Sequence, residues 1–578
     1  MPAEVFTPEA IRAQAAKNKL RQYPSVRKGK SRLLPYAKPQ IGTQLSFADN
    51  ATFFVAGNCF GRNVEKALTK AGRTYLSSPT DLDLPGSAKE QFNRYNIFNL
   101  DVSTNEVVWA IDPDAQPVDD ALIAVGDEWV DMQIHWTFAH DEARAKTYRA
   151  EYNKSYAGIA DADVVVLIGS GIEQWYDRAT GIYLNGMPTA KMTALYPDRF
   201  EFHRLDVDAC AASFRRAIDT VLAYTTVNPV ILLSVSPVLQ PLVYSANDAM
   251  VEQYLAKSYQ RSAAEIVCAE YERVEYLPSA EFALLSDFQY AYQTTSLNHS
   301  TQGLANRVMA EVLLRYEGET PGYHALNAIG EAEALIMAGD PAQAVDVVEA
   351  ALAAGAPHSV DLDFQYSQAL VKSGAKQKAA SWLVSRLDET EGEDKDRTFR
   401  VAGNLVRGYG TKAEIDTMLE HAKGMVVDPE TVAALETAVA NRAAGKQPTP
   451  RADASGVNAV LEAHRADDHA GVIAAFETLA DDPKTSKASF ERVLPVFLRS
   501  LRQTDRHDDA IVYLYQYTLV QRDPDPRWVK MLVQIAASRA DADTIELILA
   551  LGPKLGEKAD LAALERRYAA QTRKTVNG

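Results

Sequence analysis

Phe53-Phe54-Val55-Ala56-Gly57-Asn58-Cys59-Phe60 decides how the first half of the chain is read. An unbroken apolar run ending in glycine reads as a short strand buried on both faces. Gly57-Asn58 then reads as a sharp turn, and the stretch from about Gly61 to Ala71 as a helix. Three later runs repeat the pattern. They are Asp163-Val164-Val165-Val166-Leu167-Ile168 before Gly169-Ser170-Gly171, Pro229-Val230-Ile231-Leu232-Leu233-Ser234-Val235 before Ser236-Pro237, and Val274-Glu275-Tyr276-Leu277. Helical patterns over Ala212–Tyr224 and Ala246–Tyr271 separate them. Continuous apolar strands alternating with helices predict a parallel sheet covered on both faces, an α/β three-layer domain over residues 47–318. Functional side chains then belong on the loops past the carboxyl ends of the strands.

Beyond this domain no convincing strand appears, and the chain repeats. Gly339-Asp340-Pro341-Ala342 is echoed by Gly374-Ala375-Lys376-Gln377 and Gly410-Thr411-Lys412-Ala413. The beat resumes at Asp467-Asp468-His469-Ala470, His507-Asp508-Asp509-Ala510 and Ala540-Asp541-Ala542-Asp543. A period of about 35 residues with small residues at a turn between two helices predicts an all-α region of tetratricopeptide-like repeats. It divides into residues 319–444 and 457–578, with the turn-rich segment 445–456 as a linker. Residues 1–46 form a basic N-terminal arm in which Tyr23-Pro24 and Leu34-Pro35 argue against a continuous helix. The arm is read either as a ligand for an anionic partner or as a partly ordered tail lying on an acidic body.

The 578 residues are 47% hydrophobic and 24% charged, ordinary for a globular protein. A net charge of −17 argues against non-specific nucleic-acid binding. Cys59, Cys210 and Cys268 lack metal-ligand spacing and, being odd in number, suggest reduced thiols, so no metal site is expected. The start of the chain has no signal-peptide pattern, and no run reaches about 18 apolar residues. No membrane span is expected, and the cytoplasm is the default location.

Six short blocks resemble the GSCFA family, which is grouped with SGNH hydrolases. Phe54-Val55-Ala56-Gly57-Asn58-Cys59-Phe60 resembles the strand and turn in which that family carries Gly-Ser-Cys-Phe-Ala. Ile168-Gly169-Ser170-Gly171-Ile172-Glu173-Gln174-Trp175 resembles a block ending in Glu-x-Trp. Leu233-Ser234-Val235-Ser236-Pro237-Val238, Ala256-Lys257-Ser258-Tyr259-Gln260-Arg261 and Glu275-Tyr276-Leu277-Pro278-Ser279-Ala280-Glu281 resemble three further blocks. Ser296-Leu297-Asn298-His299 stands where the family has Asp-x-x-His. The resemblance implies an SGNH-hydrolase-like fold and acyltransferase or esterase chemistry on a carbohydrate-type substrate, as in polysaccharide modification. No cofactor is expected to be tightly bound; coenzyme A or another acyl carrier is the expected donor.

A nucleophile on a turn between strand and helix projects above the sheet, beside helix N–H groups able to hold an oxyanion. A histidine from a later loop takes its proton, and a carboxylate normally orients that histidine. Here the serine position is Asn58 and the aspartate position is Ser296. Cys59 is then the candidate nucleophile, with its pKa expected to be lowered by the helix N-terminus, and His299 the candidate base. Asn58 becomes an amide donor or substrate ligand. The alternative is a catalytically degenerate ligand-binding domain, with Cys59 packed under its helix and the helical repeats a scaffold for a protein partner.

Secondary candidates follow the same loop ends. Glu173 is a substrate ligand or a contact of His299, and Trp175 a platform for a sugar ring or a packing residue. Asn96 is an oxyanion amide or a turn residue. Lys257 and Arg261, one helical turn apart, form an anion clamp or a solvated face. Ser300 is the expected N-cap of a helix running to Tyr316.

Overall fold

The computed structural model describes residues 5–25, 32–34, 36–79, 88–115, 120–135, 140–240, 242–292, 299–337, 339–425, 427, 429–443, 453–481, 487–520, 524–559 and 561–576. Residues Met1–Ala438 form one compact unit and Val439–Gly578 a second.

The first unit is built on four parallel strands, β1 (Phe53–Ala56), β2 (Val164–Gly169), β3 (Val230–Val235) and β4 (Val274–Leu277), adjacent in that order. Thr74–Leu76 pairs along the free edge of β1: the Phe53 N–H donates to Thr74 O at 3.0 Å and the Leu76 N–H to Phe53 O at 2.7 Å. From that edge segment inward, the chain order across the sheet is second, first, third, fourth, fifth. The direction of winding reverses between β1 and β2, and a crevice opens beyond the carboxyl ends of strands at such a reversal.

Alternation along each strand divides two cores. Phe53, Val55, Val164, Val166 and Ile168 face the layer holding helices α1 (Cys59–Lys70) and α6 (Gln302–Tyr316). Phe54, Ala56, Val165 and Leu167 face the layer of α2 (Leu100–Ile111), α3 (Glu142–Tyr156), α4 (Val207–Tyr224) and α5 (Ala249–Cys268). With both faces dry, the strands must be apolar at every position, which is the pattern the sequence shows.

Three features depart from the expectation. The core reaches ahead of residue 47, because Tyr36, Ala37 and Ile41 are buried. The arm also carries a short helix not foreseen, Pro8–Lys17, started by Pro8 behind an N-capping Thr7; it ends before Tyr23-Pro24, so the expected lack of a continuous helix stands. A second, antiparallel sheet of Ile182–Leu184, Glu173–Asp177 and Phe200–Arg204 inserts after β2, and Leu122–Val125 pairs with Glu128–Asp131 as a hairpin. These strands are three to five residues long and mix charges with aromatics, so they lack a readable alternation.

Every expected repeat turn falls between two helices. Pro321–Met337 and Pro341–Ala353 flank the first, Val360–Lys372 and Lys376–Arg386 the second, Gly392–Tyr409 and Lys412–Ala422 the third. Gly339 (φ 82°) and Gly374 (φ 92°) supply the left-handed residue that lets the chain reverse. In the second unit the turns follow Asp453–Arg465, Lys487–Gln503 and Pro526–Arg539. There Asp467 and Asp505 take the left-handed position, and Phe476 stacks on Phe497 at 3.9 Å in the core. Most of the expected linker 445–456 lies outside the described residues; Asp453–Gly456 opens the helix ending at Arg465.

Gly57 determines the path out of β1. Its φ is 151°, and a Cβ there would lie 2.7 Å from the Ile168 Cβ. Gly57→Ala is expected to destabilise the first unit by about 2–4 kcal/mol through strain and overpacking, measured by urea unfolding. A loss under roughly 0.5 kcal/mol would refute this account of the turn.

Candidate functional site

Helix α1 starts earlier than its apolar pattern suggests, and this places the two key residues. Asn58 is the N-cap: its Oδ1 accepts from the Phe60 N–H at 3.1 Å. Its Nδ2 donates to Ser236 Oγ at 2.7 Å, tying the end of β1 to the end of β3. Asn58 is buried, so it acts as a cap and a cross-brace rather than as an open group. The Gly61 N–H is taken by Asn58 O at 2.8 Å. The Phe60 and Gly61 N–H groups at this helix start are therefore both engaged by Asn58.

Cys59 is the first helical residue and is half-buried. Its Sγ lies 3.3 Å from His299 Nδ1, although the two residues are 240 positions apart. The histidine loop is pinned on both sides. Asn63 Nδ2 donates to Ser300 O at 3.2 Å, and Gln302 Nε2 to Asn63 O at 2.8 Å, holding the loop along α1. Tyr292 pairs with Ser300 in an antiparallel bridge, and the Tyr292 hydroxyl donates to Pro237 O at 2.9 Å. The N-cap of α6 is Thr301, whose hydroxyl accepts from the Leu304 N–H; Ser300, expected in that role, is instead buried one residue earlier. Ser296, the counterpart of the family's aspartate, lies outside the described residues.

The expectation of a lowered thiol pKa is corrected. Burial pushes Cys59 up to about 11, against the opposing pull of the Cys59 and Phe60 N–H groups and of Arg62. Arg62 helps little because it is engaged elsewhere: its Nη2 donates to Val55 O at 2.9 Å and pairs with Glu65 at 2.9 Å. Near neutral pH the resting sulfur is almost wholly a thiol, and alkylation by iodoacetamide depends on the thiolate fraction. The Cys59 rate is therefore expected to be slow at pH 7 and to climb without a plateau to about pH 10. A plateau near neutral pH, read by intact mass against a Cys59→Ser control, would contradict this.

The secondary candidates divide. Glu173 accepts from the Tyr244 and Ser245 N–H groups, both at 3.0 Å, and so anchors the loop after β3. Trp175 packs edge-on against Phe202 at 5.1 Å and Tyr244 at 6.0 Å. Asn96 is buried beside Gly57, whose carbonyl accepts from the Ile97 N–H at 3.1 Å. The Asn96 Oδ1 has no hydrogen-bond partner among the described residues. Lys257 and Arg261 are not a joint clamp. Lys257 Nζ donates to Ser236 O at 2.6 Å and Val238 O at 3.0 Å, and burial lowers its pKa to about 8. Arg261 lies over the Tyr276 ring at 4.0 Å and pairs with Glu265 and Glu281. The Ser236–Val238 turn thus has three consecutive carbonyls held by Lys257 and Tyr292, while its serine hydroxyl holds Asn58.

The sequence alone gives no role to Ser236, Asn63 or Tyr292. Only the position of Ser236 at the carboxyl end of β3 hinted at its role. Among the described residues no cluster of three or more His, Cys, Asp or Glu is suited to a metal.

Residues 52–311 match the model of the GSCFA family, and no curated protein matches the chain. The matched span begins one residue before β1 and ends within α6, so it takes in the sheet, the Gly57-Asn58-Cys59 turn and the His299 loop. Residues 52–311 are thus similar to the GSCFA family.

Proposed function

We propose that the α/β domain transfers or hydrolyses acyl groups on a carbohydrate-type substrate, with Cys59 as nucleophile and His299 as base. The observation that carries this reading is the 3.3 Å approach of Cys59 Sγ to His299 Nδ1 at the start of a helix. With the thiol protonated at rest, attack and proton transfer are coupled. The sulfur attacks the acyl carbonyl and an S–C bond forms, while His299 Nδ1 takes the thiol proton. The carbonyl oxygen becomes an oxyanion beside the Cys59 N–H. The donor's bond to the acyl carbon then breaks, and the imidazolium returns its proton to the leaving group. An acceptor hydroxyl, or water, next gives its proton to His299 as it attacks the acyl carbon; the S–C bond breaks and the imidazolium returns that proton to the sulfur. Coenzyme A or another acyl carrier is the proposed donor, and a glycoconjugate the proposed acceptor.

Three free thiols fit a reducing, cytoplasmic setting. Among the described residues no helix is long and apolar enough to cross a membrane. The helical repeats are the proposed docking face for a protein partner. The raised Cys59 pKa favours a second reading, in which the domain binds its ligand without turnover.

Incubation with p-nitrophenyl acetate and with acetyl-coenzyme A, followed by intact mass, separates the two. A single acetyl adduct mapping to the Cys59 peptide is expected. Neither adduct nor p-nitrophenol release above a Cys59→Ala control would overturn the catalytic reading.

A further inference from the structure

A groove of about 780 Å³ runs between the α/β domain and the first helical repeats, inside the compact unit Met1–Ala438. On one side it is lined by Lys66, Thr69 and Lys70 of α1 and by Gln302 and Asn306 of α6. On the other it is lined by Ser359, Asp361, Phe364 and Gln365 from the second repeat, with Arg397 from the third. Its volume falls within the range of ligand clefts.

The groove lies on the reactive face of the domain. Cys59, Asn63, Lys66, Thr69 and Lys70 are the α1 residues that are not buried, and they form one stripe. Lys66 is about 10 Å from Cys59 along that stripe at 1.5 Å per residue. Thr301 and Gln302 of the lining come two and three residues after His299, and Gln302 Nε2 also donates to Asn306 Oδ1 at 3.1 Å.

The lining chemistry selects the ligand. Cations and carboxylates balance: Lys66, Lys70 and Arg397 against Glu333, Asp361 and Asp394. The cations are also engaged. Lys70 pairs with Asp361, Arg397 Nη1 lies 2.9 Å from the same carboxylate, and Lys66 Nζ lies 5.6 Å from the Phe92 ring. A phosphate would have to strip Asp361 of its partners, a costly exchange in a partly dry cleft. What remains is amide, hydroxyl and ion-paired groups beside the rings of Phe364 and His358. That combination suits a neutral polyol, whose hydroxyls bond to planar polar side chains and whose C–H faces lie on an aromatic.

We infer that this groove binds a neutral oligosaccharide, the acceptor of the acyl group, and that the repeats exist in part to form its outer wall. The assignment of acceptor rests on the acyl-transfer reading; the assignment of saccharide rests on the groove alone.

The test is calorimetric titration of the full chain with maltohexaose, cellohexaose, chitohexaose and isomaltohexaose, with inorganic phosphate as comparator. At least one hexasaccharide is expected to bind with a Kd on the order of a millimolar or tighter. Phe364→Ala and Gln365→Ala are each expected to weaken it roughly five- to tenfold, with far-UV circular dichroism unchanged. Binding by none of the four, equal binding by the variants, or binding of phosphate in their place would overturn the inference. Saccharide binding without any acetyl adduct at Cys59 would leave the groove standing and remove the transfer reaction; an adduct without saccharide binding would do the reverse.

Discussion

Cys59→Ala is expected to remove acyl transfer and ester hydrolysis by about 10³-fold or more in kcat, leaving the fold in place. The sulfur is the only group in this arrangement that forms a bond to the acyl carbon. Its loss leaves the Cys59 backbone N–H and the histidine, which assist but do not attack. The side chain is half-buried at a helix start rather than in the core, so alanine costs little packing. His299→Ala is expected to produce a loss of similar size, since the thiol is held protonated by burial and needs a base at Nδ1, 3.3 Å away. Because the two act as one unit, the double variant should be no slower than either single one. Steady-state hydrolysis of p-nitrophenyl acetate by all three variants checks this. Multiplicative losses would mean that the residues act separately and would end the proposed pairing.

The second large effect concerns stability. Arg149 is fully buried and binds Glu106 in a fork, Nη1 to Oε1 at 2.9 Å and Nη2 to Oε2 at 2.5 Å. Nη1 also reaches Asp131 Oδ2 at 3.3 Å, and Nε donates to Asn153 Oδ1 at 2.9 Å. The guanidinium lies over the rings of Trp109 at 5.6 Å and Tyr152 at 4.9 Å. Arg149→Met keeps the apolar contacts but leaves two buried carboxylates facing each other without a cation. A loss of about 3–5 kcal/mol is expected, read by urea unfolding. Arg149→Lys should recover only part of it, because an ammonium lacks the planar fork. A loss below about 1 kcal/mol for the methionine variant would show that the carboxylates find solvent or protons at little cost.

Much of this architecture was legible from residue order. Phe53–Ala56, Val164–Gly169, Val230–Val235 and Val274–Leu277 stood out because a strand covered on both faces must be apolar at every position. The repeat turns stood out because reversal between two helices needs a small or left-handed residue at a fixed interval. The inserted sheet around Glu173–Asp177 did not, since its strands bury one edge, carry ion pairs such as Asp177–Arg199, and are too short to show a period. Glu173 and Trp175 follow β2 but lie in a strand of the inserted sheet, and the backbone N–H groups and rings that occupy them come from residues 202 and 244–245.

The sequence by itself determined the strand–turn–helix at residues 53–70, the parallel sheet and the helical array, because periodicity and turn chemistry are local. Tertiary structure alone decided the rest. It brought Cys59 to His299, gave Asn58 to Ser236 as a brace, and turned Lys257 from a surface cation into the clamp of a turn. It also covered the sulfur enough to reverse the expected direction of its pKa. Each of these depends on distances between residues tens to hundreds of positions apart and on the water excluded between them, and neither is written in local order.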